Sequence, residues 1–187
     1  MDSDAVQRAD VVDGEHQVIV AHGVGNQAPD AEYFVPMVER MLCNCGQPAG
    51  ARLLADNGYL SAADVAHADR RGSDVYIAAG REKAGDPERS PPMLPARRRM
   101  RNKLATREGR AIYVRRKVIA EPPFGQIQEA RRFRRFSMRG LGKSGFEWAL
   151  VCLTHNVLKL YRAVTRAAGP PRPLDSGFAI ATTLATA

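Results

Sequence analysis

Two short runs rich in apolar and β-branched residues open the chain, Ala5 to Val12 and His16 to His22. Asp13-Gly14 between them is a strong hairpin-turn signal, so the pair predicts two antiparallel strands. The pattern then switches. Phe34, Met37, Val38 and Met41 recur at spacings of three and four, which predicts a helix; Pro29 and Asp30 suit its first turn and Gly46 its end. A short apolar run, Ala51 to Ala55, stops at Asp56, and Asn57-Gly58 turns the chain abruptly. Ser61-x-x-Asp64 resembles a capping box with Asp in place of Glu and predicts a short helix. Asp74 to Ala79 reads as a further strand. Hairpin, helix, strand, helix, strand is an α/β order with a mixed sheet.

At Gly80 the pattern is lost: residues 80–96 are polar and proline-rich and predict an exposed loop of low order. Ala96 to Arg107 follows as an Arg/Lys-rich helix whose cations suit either a DNA backbone or a solvated face. A second helical stretch carries Tyr113 towards Glu121. There Pro122 and Pro123 suit a first helical turn, so a new helix is expected to begin at Glu121 and run through Phe124, Ile127 and Gln128. Gly140, Gly142 and Gly145 predict a hinge. In the last helix Phe146, Leu150, Leu153, Val157 and Tyr161 define one apolar face expected to pack on the core, with His155-Asn156 as a structural pair. From Ala168 no amphipathic pattern remains, so the expected organisation is one domain over residues 1–166 and a disordered tail over 167–187.

Composition narrows the partners. A net charge of +8 and a pI of about 9.9 over 187 residues point to a polyanion, without separating DNA, RNA and anionic membrane. Three cysteines, an odd number, argue against a disulfide framework and for reduced thiols in a cytoplasm. The opening MDSDAVQRAD is polar and acidic, unlike a signal peptide, and the apolar stretch 146–161 is interrupted by Glu147, Thr154, His155, Asn156 and Lys159, unlike a membrane span.

The chemistry centres on residues 111–136. Glu121 sits between a basic approach (Arg115, Arg116, Lys117) and a basic exit (Arg131, Arg132, Arg134, Arg135). A carboxylate so placed is either a helix-start Glu salt-bridged to nearby arginines or a metal ligand beside a phosphate-binding surface. Tyr113, Arg116, Glu121, Pro122, Phe124-Gly125-Gln126-Ile127 and Glu129-Ala130-Arg131 resemble the C-terminal signature of DDE transposases of bacterial insertion sequences. Gln128 stands where that signature has Lys. The stretch Leu53 to Ser61 resembles the second-Asp motif of the same family, with Asp56 lying 65 residues before Glu121 (121 − 56). Val12-Asp13, Glu15 to Ala21, Asn26 to Asp30, Phe133 to Phe136, Arg139-Gly140, Glu147 to Leu150 and His155-Asn156 extend the likeness over roughly residues 9 to 162.

The resemblance implies an RNase H-like α/β fold, a mixed sheet flanked by helices with a helical C-terminal part. It implies Asp56 and Glu121 as catalytic residues and ligands of Mg²⁺ (or Mn²⁺). Tyr113, Arg116, Arg131, Arg132, Arg134 and Arg135 would face DNA. The implied reaction is cutting and joining of DNA at insertion-sequence ends by two-metal phosphoryl transfer, in the bacterial cytoplasm at the nucleoid, and the resemblance allows a homodimer on paired ends. The family's first catalytic Asp lies on a central strand upstream of the hairpin, whereas here the hairpin begins almost at Met1. Asp2, Asp4 and Asp10 lack the apolar strand context of that motif. The expectation is therefore an N-terminally truncated domain, inactive alone, with a central strand missing and sheet edges unpaired. The alternative is a non-catalytic DNA-binding remnant of a transposase; a basic RNA-binding or ribosome-associated module is disfavoured by the order of the motifs.

Overall fold

A computed structural model describes residues 6–26, 31–46, 51–79, 95–165 and 177–185. Asp2, Asp4, the Pro29-Asp30 helix start and most of the proline-rich loop lie outside these residues. The hairpin is present as β1 (Val6–Asp13) and β2 (Ile19–Gly25), paired antiparallel. The Asp13 carboxylate closes its turn by accepting from His16 N at 2.6 Å. Helix α1 (Ala31–Cys45) buries Phe34, Met37, Val38 and Met41, as their spacing requires, and Gly46 ends it at φ +71°, a conformation that costs glycine little. Strand β3 (Arg52–Ala55) leads into a 3₁₀ turn over Asn57–Tyr59. Helix α2 (Ala62–Arg70) starts on Ser61, whose Oγ accepts from Asp64 N at 3.0 Å, and β4 (Asp74–Ile77) follows.

The largest departure from expectation is at the C-terminus. Within the stretch expected to be a disordered tail, residues 177–185 form a strand, β5 (Gly177–Ala185). It lies in the middle of a five-stranded sheet of order β2-β1-β5-β3-β4, antiparallel to β1 and parallel to β3. The sheet edges expected to be unpaired next to a missing central strand are joined by β5. The backbones approach closely there: Gly14 N donates to Gly177 O at 2.6 Å, and a Cβ on Gly14 would stand 2.4 Å from that oxygen. The result is α/β with a mixed five-stranded sheet flanked by helices, compatible with an RNase H-like fold.

Alternation along the strands builds two cores. Ala9, Val11, Leu53, Ala55, Val75, Ile77, Phe178 and Ile180 face α1, α2 and Met100 of α3 (Pro95–Ala105). Val6, Val12, Ile19, Leu54, Tyr76 and Ala179 face α4 (Arg107–Gly125) and α5 (Leu141–Thr165). Both edge strands are blunted by side chains rather than left as templates. Asn156 binds Ile19 through both ends of its amide, accepting from Ile19 N at 2.9 Å and donating to Ile19 O at 2.8 Å. Asn44 donates to Val20 O and Arg40 to His22 O. At the other edge Lys103 donates to Val75 O at 2.8 Å.

Three helical expectations need correction. No helix begins at Glu121: α4 starts at Arg107 on a Thr106 cap and runs through Pro122 and Pro123, continuing as a π-type segment over Gln126–Ala130. Proline at 122 leaves Val118 O without its helical donor. The Gln17 side chain supplies one at 3.0 Å. Gln17 holds φ +58° in the hairpin turn and is also bonded by Lys159 Nζ at 2.9 Å and His155 Nε2 at 3.0 Å, so one turn residue fastens both helices.

The second correction concerns α5. Its core-facing residues are Ser144, Trp148, Cys152 and His155, while Phe146, Leu150, Leu153, Val157 and Tyr161 are exposed. The third concerns the glycine hinge: only Gly140, at φ +87°, precedes α5, and Gly142 and Gly145 lie inside it. A Cβ at either would meet nothing within 4 Å. Gly142→Ala and Gly145→Ala are each expected to stabilise the fold by about 0.5–1 kcal/mol, since alanine gains helix propensity without a clash. Urea midpoints measure this, and a lower midpoint would show that the first turns of α5 are not helical.

Candidate nucleic-acid interface and carboxylate site

Asp56 follows β3 directly and caps the 3₁₀ turn, its Oδ1 accepting from Asn57 N at 2.8 Å. Leu54, two residues earlier, faces α4, so Asp56 leaves the strand on the same side. Its Oδ2 lies 3.3 Å from Arg116 Nη1, with the Asp56 side chain 57% exposed and that of Arg116 19%. The Arg116 guanidinium stands 5.7 Å from the centre of the Tyr113 ring. Burial, and after it the Asp56 charge, push the Tyr113 phenol above its ordinary range, against the pull of Arg116. Asp56, Arg116 and Tyr113 therefore form one constellation, assembled from β3 and α4.

Glu121 does not join it. The residue is exposed on α4, five positions beyond Arg116, which on an α-helix is about 7.5 Å of rise and about 140° of rotation. Ile119, Ala120, Pro123 and Phe124 occupy the buried face, and Glu121 shares the outer surface with Lys117 and Val118. Hard divalent cations need several oxygens converging. Here one Asp56 oxygen faces a guanidinium and the other a backbone N–H. Among the described residues no group of three or more His, Cys, Asp or Glu side chains is placed to hold a metal. In this arrangement the residues do not fit a two-metal site.

The predicted DNA-facing arginines divide into two kinds. Arg131 is held to α5, donating to Thr154 Oγ1 at 2.7 Å and Thr154 O at 3.0 Å. Arg134 pairs with Glu129 at 2.7 Å with both side chains about 70% exposed, a pair worth little in water. Arg132 and Arg135 are exposed, and Arg132 holds φ +57°. Glu147 binds the arm that carries them back to α5, accepting from Ser137 N, Ser137 Oγ and Met138 N. On α3, Arg97 and Arg98 are exposed while Arg99 pairs with Asp69 at 2.6 Å.

One buried polar cluster was not foreseen. Arg8 and Asp10, neighbours on one face of β1, are fully buried against α5. The Trp148 indole N–H donates to Asp10 Oδ1 at 2.8 Å, and the Arg8 guanidinium lies 4.6 Å from the Trp148 ring centre. Burial above all pushes the Asp10 carboxyl up to about 8, against the pull of Trp148 and Arg8. Asp10 thus does sit on a buried strand, paired with Ala181 of β5, contrary to the reading of its sequence context. Only the alternation Val6-Arg8-Asp10-Val12 on a β-prone run could have signalled this.

Among the described residues no helix is long and apolar enough to cross a membrane. No curated protein and no solved structure matches the chain. Residues 88–161, which hold Tyr113, Arg116, Glu121 and the arginine arm, match the family model described as transposase DDE domain.

Proposed function

We propose that this chain binds duplex DNA as part of a transposase DDE domain, with insertion-sequence ends as its substrate and the bacterial cytoplasm as its place of work. In this reading the exposed Arg132, Arg134 and Arg135 contact phosphates, and Arg97 and Arg98 of α3 extend the basic surface. Such contacts position the protein and release counterions without reading sequence. Family resemblance assigns Asp56 and Glu121 to Mg²⁺ or Mn²⁺, and it allows the chain to act as a homodimer on paired ends.

One observation supports holding DNA over cutting it: the Asp56 carboxylate is matched by Arg116 rather than by other carboxylates. A guanidinium at this distance competes with a divalent cation for the same oxygen. β5, which adjoins β3 beside Asp56, carries no Asp or Glu that could add a third ligand. The reading is therefore a DNA-binding transposase segment that does not cleave by itself. The expected outcome is salt-sensitive binding to duplex DNA, with little sequence preference and no strand cleavage in Mg²⁺ or Mn²⁺. Replacing Arg131, Arg132, Arg134 and Arg135 by Ala should reduce the slope of log affinity against log salt by about two to three, because Arg131 is already committed to Thr154. An unchanged slope would move the binding surface to α3. Cleavage by the unaltered chain, lost on Asp56→Asn, would overturn the non-cleaving reading.

A further inference from the structure

Helix α5 is apolar on two sides. Its inner side, Trp148, Cys152 and His155, is buried on the sheet. Its outer side carries Phe146, Leu150, Leu153, Val157, Leu160 and Val164, between 56% and 80% exposed. The six follow one another at intervals of 4, 3, 4, 3 and 4 residues. That is the 3.5-residue repeat of a coiled-coil seam, narrower than the stripe with which a helix lies on a globular core. Assigning Leu150, Val157 and Val164 to one seam position puts Phe146, Leu153 and Leu160 at the other. Val157 and Val164 at the first and Leu153 and Leu160 at the second are the combination that favours pairing of two helices, with Leu150 and Phe146 departing from it at the N-terminal end. Trp148 and His155 then fall opposite the seam, as their burial on the sheet requires.

We propose that this face is the pairing surface for a second copy of this chain, two α5 helices packing along Phe146 to Val164. The seam is self-complementary, as a two-fold interface must be. The whole chain carries +8, so two copies repel at most orientations, but the six seam positions carry no charge. The flanking positions are short or uncharged: Ala149, Thr154, Asn156, Tyr161 and Ala163. The exception, Glu147, is held by Ser137 and Met138. The size is sufficient: six side chains of about 100 Å² each bury about 1,200 Å² over two partners, the lower bound of stable interfaces. Left open, the patch would exceed the few hundred Å² usual on a monomer. The surface deepens the homodimer part of the reading above but does not depend on DNA binding or on metal.

Sedimentation equilibrium of the full chain, without DNA, tests it. The expected result is a dimer in the micromolar range, and self-association weakened at least about a hundredfold by Leu153→Glu with Leu160→Glu, four charges per interface. Both residues are exposed in the single chain, so the variant should keep its circular dichroism and its Trp148 fluorescence. Should that variant fail to fold, Val157→Lys alone supplies the same readout. A single cysteine at Leu153, with Cys43, Cys45 and Cys152 replaced by Ser or Ala, is expected to cross-link copy to copy. A monomer throughout the range, or a dimer indifferent to these substitutions, overturns the proposal. Either result leaves the salt-dependent DNA binding as it was, so the two readings fail separately.

Discussion

A chain ended at Ser176 is expected not to fold. Among the described residues β5 is the link between the hairpin and the β3-β4 pair in the sheet: it pairs with β1 over eight residue pairs, Val6↔Ala185 to Asp13↔Phe178, and with β3 over three. Without it the sheet divides into two two-stranded pieces, each marginal in water. Each would expose an edge at the centre of a hydrophobic core. Phe178 and Ile180 would leave the core under α1 and α2, and Ala179 the core under α4. A single charge is nearly as damaging: Ile180→Asp places an unpaired carboxylate at a fully buried position and should cost more than about 4 kcal/mol. Urea denaturation followed by circular dichroism checks both. A truncated chain that unfolds cooperatively at the unaltered midpoint would show that β5 does not hold this slot. Recovery of the transition on adding a peptide of residues 177–185 would show that pairing, rather than chain length, is what the truncation removes.

Loss of Trp148 is expected to have the next largest effect, because one indole serves two buried polar side chains. Its N–H donates to Asp10 and its face receives Arg8, while Phe133 stacks against it at 5.8 Å between centroids. Trp148→Phe keeps most of the volume but leaves Asp10 Oδ1 without its strongest donor, at a cost of about 1–3 kcal/mol. Trp148→Ala adds a cavity and should cost about 3–5 kcal/mol or more. The pH dependence identifies the cause. Asp10 is raised by burial to about 8 from an ordinary 3.8, so the folded chain holds this proton while the unfolded chain has lost it. Stability from this group is therefore greatest below about pH 4, falls by up to about 1.4 kcal/mol per pH unit as pH rises towards 8, and is level above. Asp10→Asn still offers Trp148 an acceptor and removes the titration. It should flatten that decline and raise the midpoint at pH 7. If Asp10→Asn retains the full slope between pH 5 and 8, another group is responsible and the buried-acid account is wrong.

The match over residues 88–161 coincides with the part of the chain that was most informative as sequence. Tyr113, Arg116, Glu121 and the arginine arm all lie within it, and the Asp56 motif lies outside. Arg116 was expected to face DNA, yet its nearest acidic partner is Asp56. That contact crosses 60 positions (116 − 56) and has no local signature.

What the sequence by itself determined was local: where the chain turns, caps and repeats. Asp13-Gly14, Ser61 with Asp64, Gly46, and the period of Phe34, Met37, Val38 and Met41 act through neighbours a few bonds away, so their consequences are written within single segments. What only the tertiary structure decided was which surface meets which. Residues 177–185 show no amphipathic pattern because their strand lies at the centre of the sheet, and a strand covered on both faces does not alternate. Helix α5 carries its longer apolar stripe on the outer side, and the choice of the inner side fell to the partners on β1 and β2: Asp10 takes Trp148, Gln17 takes His155 and Ile19 takes Asn156. Glu121 fell on the outer side of α4 because that helix runs straight through its two prolines, with Gln17 from a distant turn bonding the carbonyl that Pro122 leaves free. Each of these outcomes depends on groups more than a hundred residues apart competing for one buried surface, and such competition leaves no periodicity in the chain.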